Sequence, residues 1–207
     1  MEDFPKGQLE GFETIQLTEI NKVIEENAKA GQFMFFADIS GQVGTFASYQ
    51  AGTMLNMDYC DDVKKTIVAK SQTIEESAEK LRSNILLCMG GAHDLPIGKV
   101  LVINMNEMNA KADFYKHPNF PLESAFDPEF MKRGDGLKDG EATWKKLLKP
   151  EEDVDKDGNK GMFMMKEGFG MAFVSNISDE VMDDEVITDV MANIPNIDKW
   201  KKYYVKK

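Results

Sequence analysis

The chain has 207 residues and a mass of 23.3 kDa, and its 25 basic and 36 acidic residues leave a net charge of −11. A hydrophobic content of 42% with 29% charged residues excludes wholesale disorder, a collagen-like repeat and a disulfide-stapled mini-protein. The negative charge weighs against a nucleic-acid backbone and against broad adhesion to anionic lipid, since both call for a lysine and arginine field.

The length suits one globular domain over residues 1–207, with an irregular segment at about 106–149 and a short basic tail at 199–207. Cys60 and Cys88 are the only cysteines, and the polar, acidic opening lacks a secretory signature. Two free thiols in the cytoplasm is therefore the expectation. The longest apolar runs, 33–37 and 100–103, fall far short of the roughly 20 residues of a membrane span.

In chain order, Thr18 reads as the N-cap of a helix reaching Ala30, with Ile20, Val23, Ile24 and Ala28 on one face and Gly31 as its stop. Phe33 to Ala37 is aromatic and too short for a helix, so it reads as a buried strand. Ser40-Gly41 then supplies a two-residue turn, and Gln42 to Ser48 returns as its hairpin partner. A helix is expected from about Cys60 to Lys70 with Val63 and Ile67 inward. A second opens on a capping box, Thr73 reciprocated by Glu76, and carries Ile74, Ala78, Leu81, Ile85 and Cys88 at helical spacing up to Gly90-Gly91.

Lys99 to Met105 is a strand. From Asn106 to Lys149, prolines and glycines break the periodicity, while Phe114, Tyr115, Phe120, Phe126 and Phe130 act as anchors of a packed loop. Glu141 to Leu148 reads as a short helix with Trp144, Leu147 and Leu148 inward. Met162 to Lys166 and Phe169 to Val174 read as a second hairpin turning at Glu167-Gly168. A last amphipathic helix runs from Ser178 or Asp179 to Ile194, and Pro195 ends it. Two hairpins, a lone strand and flanking helices predict an α+β fold, an antiparallel or mixed sheet covered by amphipathic helices.

Three segments carry potential chemistry. Asp153, Asp155, Asp157 and Gly158 stand at the first, third, fifth and sixth positions of a calcium loop, with the Asn159 carbonyl at the seventh. The pattern then fails, because Lys160 and Met164 stand where an apolar residue and a bidentate glutamate belong. A weak Ca2+ site using Asp153, Asp155, Asp157 and Asn159 is the metal expectation. Asp38 closes a hydrophobic strand and precedes Ser40, Gly41, Gly44 and Thr45, a phrase compatible with a magnesium-dependent phosphoryl-transfer or nucleotide site. The Walker lysine and a dinucleotide glycine series are both absent. His93 and His117 belong to no visible triad or zinc ligand set, and the glycine-rich 134–140 segment reads as surface loop.

The leading functional reading is a non-enzymatic interaction protein or accessory subunit of a larger assembly. It would dock a protein partner through the C-terminal helix and the tail that bears Trp200, Tyr203 and Tyr204 among lysines. A calcium-responsive binding protein and a small nucleotide enzyme built on Asp38 are the alternatives.

Overall fold

The computed structural model describes residues 11–90, 97–106, 111–132, 142–177 and 184–207. Six strands form one sheet: β1 (Phe12–Gln16), β2 (Met34–Asp38), β3 (Met54–Asp58), β4 (Val100–Asn106), β5 (Gly170–Asn176) and β6 (Lys201–Lys206). Their spatial order is β1-β6-β2-β5-β4-β3, and every pairing is parallel. The expected antiparallel or mixed sheet of hairpins is therefore corrected to a Rossmann-like parallel sheet. The first hairpin fails because the chain after β2 crosses a face of the sheet instead of turning back, and the second because its first arm is not a strand. Residues 43–49, expected to return beside β2, form helix α2 (Val43–Tyr49), while 162–166 belongs to no strand of the sheet.

The reason lies in the side chains. All five residues of β2 are buried, as are the first six of β4 and of β5. A strand solvated on one face alternates polar and apolar residues, whereas a strand covered on both faces is a continuous hydrophobic run. The chain steps outward from β1 through β2 to β3 at the far edge, then returns through β4 and β5 to β6. Right-handed crossovers send the outward connections over one face and the return connections over the other. Accordingly α1 (Ile20–Lys29) and α2 pack on Met34 and Phe36, whereas α4 (Ile74–Met89) and Trp200 share a core with Phe35 and Ala37.

Local signals fare better than the topology. Helix α1 buries Ile20, Ile24 and Ala28, and a short 3-10 turn at Leu17–Glu19 precedes it. In α4 the Thr73–Glu76 capping box is formed, Gly90 ends the helix at φ +108, and Cys88 is fully buried. That burial pushes the Cys88 thiol up to about 12, so the residue is a core hydrophobe and not a nucleophile. The helix expected over 60–70 is α3 (Tyr59–Val63) followed by one wide π turn, Lys64–Val68; Thr66 is buried there and Ile67 faces solvent. A four-residue helix, α5 (Leu122–Ala125), lies in the β4–β5 connection. The final helix, α6 (Asp184–Ala192), buries Ile187 and Val190; its expected start at 178–179 lies outside the described residues.

The basic tail is not a free arm. Residues 201–206 are strand β6, inserted between β1 and β2 with Tyr203, Tyr204 and Val205 buried. Trp200 donates from Nε1 to the Phe126 carbonyl at 3.0 Å and packs its ring against Phe33, Phe126 and Phe173. The aromatics assigned to docking thus belong to the chain's own core.

The β4–β5 connection, aromatic as expected, is bound to α4 by a buried arginine. Arg82, 4% exposed, donates from Nη1 and Nη2 to Glu152 at 2.7 Å each, from Nη2 and Nε to Glu79 at 2.7 and 2.9 Å, and from Nη1 to the Leu147 carbonyl at 2.8 Å. The Arg82 hydrogen bonds hold Glu79 at about 2, and Glu152 is lowered for the same first cause. A depressed carboxylate stabilises the fold above its unfolded pKa and loses that contribution as pH falls through the folded value. Arg82→Met is expected to cost about 3 kcal/mol by urea denaturation at neutral pH, through the orphaned Glu152 and Leu147 carbonyl. It should also flatten the acid-side loss of stability between about pH 4.5 and 2 relative to wild type. Deleting residues 196–207, which removes the strand between β1 and β2, is expected to abolish the cooperative thermal transition in calorimetry.

Candidate functional site

In a parallel sheet of this kind, ligands bind outside the carboxyl ends of the strands, where neighbouring connections depart to opposite faces. Here that place lies between β2, whose connection runs to α2, and β5, whose connection runs to α6. Asp38 and Asn176, the last residues of these strands, are register partners. Four adjacent strands, β2, β5, β4 and the edge strand β3, end in an aspartate or asparagine: Asp38, Asn176, Asn106 and Asp58.

Asp38 is 1% exposed and both its oxygens are engaged. Oδ1 accepts from the Ser40 hydroxyl at 2.6 Å and the Gly41 N–H at 3.0 Å, and Oδ2 accepts from the Val43 N–H at 2.8 Å. Gly41, at φ +66, bends the loop so that these donors converge. Burial raises the Asp38 carboxyl above its ordinary range, and the donors from Ser40, Val43 and Gly41 draw it back part of the way. The amides that would cradle an anion at the mouth of α2 therefore hold the chain's own carboxylate.

The next turn of the loop is closed by packing. A Cβ on Gly44 would lie 2.1 Å from Asn104 Nδ2, so the Asn104 side chain sits directly against the glycine. Asn104 Oδ1 accepts from the Asn106 N–H at 3.0 Å, and Asn106 takes a left-handed conformation at φ +50 beside a bulge in β4. Asn106 Nδ2 reaches Asp58 Oδ1 at 3.3 Å, and the same oxygen caps α3 through the Asp61 N–H at 3.1 Å. Asn176 differs from these, since its buried Oδ1 has no hydrogen-bond partner among the described residues. Asn104, Asn106, Asp58 and Asn176 escaped the sequence reading. Their signal was an aspartate or asparagine at or near the end of each hydrophobic run.

The expected calcium site is corrected. Asp155 Oδ1 accepts from the Asp157 and Asn159 N–H groups at 2.8 and 2.9 Å, and its Oδ2 from Asn159 Nδ2 at 2.9 Å. The Asn159 carbonyl, offered as the seventh ligand, accepts from the Asp155 N–H at 3.0 Å. Asp153 Oδ1 turns to the Phe163 N–H at 2.9 Å, while its Oδ2 stands 3.8 Å from Lys145 Nζ. The run is a tight turn with a bridge between Val154 and Lys160 and Gly158 at φ +85. Among the described residues no group of three or more His, Cys, Asp or Glu side chains is placed to hold a metal ion. The Asp153 and Asp155 carboxylates that spacing offered to a cation serve backbone amides instead, and the metal-binding, calcium and Ca2+-cofactor expectations fall with them.

His117 accepts from the Asn119 N–H through Nδ1 at 3.3 Å; His93 and all of 134–140 lie outside the described residues. No described helix is long and apolar enough to cross a membrane.

The fold and this edge define a parallel α/β protein in which Asp38, Asn104, Asn106 and Asp58, at or near the strand ends, bond or pack against the chain's own groups. No family model, curated protein or solved structure matches the chain. Gly44→Ala is expected to cost about 2 kcal/mol through overpacking against Asn104. Asn104→Ala in the same chain should recover part of that loss, and a double-mutant cycle by urea denaturation measures the coupling.

Proposed function

We propose that this chain is a non-enzymatic accessory protein that acts by binding a protein partner in the reducing cytoplasm. The observation that carries this reading is the occupied loop after β2. A parallel α/β fold serves enzymes and binding proteins alike, so function is argued from the site. At this site the Asp38 carboxylate already takes the Ser40 hydroxyl and the Gly41 and Val43 amides. An incoming phosphate would find those donors engaged and a buried negative charge where its own would lie. A nucleophile or magnesium ligand needs an open lone pair, and the geometry of Asp38 offers little access to one.

Both cysteines are buried and unpaired, in keeping with a reducing compartment. The partner surface moves away from the tail, whose aromatics are core residues. The inward face of α6, with Ile187 and Val190, is likewise covered by the chain itself.

Calorimetric titration of the full chain with Mg-ATP, Mg-GTP and inorganic phosphate tests the reading. No saturable heat is expected from any of the three. Stoichiometric binding of a nucleotide, lost in Asp38→Asn, would overturn it in favour of a nucleotide enzyme.

A further inference from the structure

The wide turn after α3 breaks a local rule of folding. Ala69 N–H reaches back five residues to the Lys64 carbonyl at 2.8 Å, and Thr66 is buried at that turn, its Oγ 2.8 Å from Ser77 Oγ of α4. Ile67 and Val68 are left 55% and 75% exposed, although helical spacing from Val63 expects Ile67 inward. Burying a threonine while presenting two adjacent β-branched aliphatics to water gains nothing for the isolated chain. Departures of this kind, like π turns themselves, concentrate at functional sites.

The charges around the pair are of one sign. Lys64, Lys65 and Lys70 are exposed in the run 64–70, which contains no acidic residue, in a chain of net charge −11. The nearest acids are already engaged: Asp61 pairs with Lys65 at 2.6 Å, and the fully buried Asp62 accepts from Lys80 and from the Tyr115 hydroxyl. Lys64 and Lys70 form no salt bridge among the described residues. Lys70 is held at the turn's exit in a left-handed conformation, φ +51.

We propose that Ile67 and Val68, flanked by Lys64 and Lys70, seat an acidic segment of a partner protein that carries an apolar residue among its carboxylates. The inference rests on the accessory-protein reading and names the surface and partner chemistry for it. Anionic lipid fits less well, because a bilayer spreads its charge far beyond this patch and would also meet the acidic remainder of the chain, whereas a short segment contacts the patch alone. A second copy laid patch to patch would bring lysine against lysine.

The probe is a displayed library of random dodecapeptides selected on the full chain, with affinities of the enriched peptides measured by fluorescence anisotropy. Enriched sequences are expected to place Asp or Glu around an aliphatic or aromatic residue. Their affinity should fall about tenfold or more in the Ile67→Ser/Val68→Ser double variant, and comparably in Lys64→Glu/Lys70→Glu. Because both aliphatics are exposed, the double serine variant should unfold within about 2 °C of wild type, which separates lost binding from lost folding.

Absence of enrichment, peptides lacking acidic character, or undiminished binding to the serine variant would each overturn the proposal. Sedimentation with phosphatidylserine vesicles, or self-association, that disappears in the serine variant would overturn it in favour of a membrane or a second copy. Acidic peptides that select a different surface would sink this patch and leave the accessory reading standing. Nucleotide binding in the titration above would sink that reading independently.

Discussion

A parallel strand cannot be followed directly by its neighbour in the sheet, because the chain must first travel back to the starting edge. Six such strands need five crossings, and the crossings cover both faces. This constraint explains why β2, β4 and β5 are hydrophobic on both sides and why two separate cores form, one under α1 and α2 and the other under α4, α6 and the β4–β5 connection. It also explains the placement of the last strand. Strand β6 fills the gap between β1 and β2, so the sheet is incomplete until the chain's final residues are in place.

The same topology creates the strand-end crevice and decides what occupies it. Connections that part to opposite faces leave the ends of β2 and β5 with polar backbone groups that need partners. In this chain Asp38 supplies them to the loop that follows it, Asn104 closes over Gly44, and Asn106 and Asp58 satisfy the next turn. Among the described residues, the edge is bound together by its own side chains. An acidic protein built this way has its positive charge distributed unevenly. The tail lysines flank a core strand, whereas those of 64–70 surround exposed aliphatics.

Charged side chains play two physically distinct parts. Arg82 is buried and fully engaged, tying α4 to a long connection whose described residues add no strand to the sheet. Asp153 and Asp155 lie near the surface and organise a turn by accepting from amides close along the chain. Both sets could be mistaken in sequence for functional chemistry, and only the direction in which the side chains turn distinguishes them.

The sequence by itself determined what depends on neighbours a few residues apart. The capping box at Thr73, the apolar faces of α1 and α4, the stops at Gly31 and Gly90, the strand at Val100 and the inward Trp144 all follow from local spacing, and the structure holds each of them. The buried runs of β2 and β5 were legible as strands. Their parallel pairing was not, because a short apolar run followed by glycine suits a hairpin turn and the loop of a crossover equally. Tertiary structure alone decided that α2 follows β2, that residues 201–206 pair between strands nearly 190 and 170 positions away in the chain, and that Asp38 is buried with both oxygens on the loop that follows it. It also decided that Thr66 and not Ile67 meets α4. The physical reason is common to all four: each depends on which face of the sheet the chain crosses, and that is fixed by contacts between residues distant in sequence.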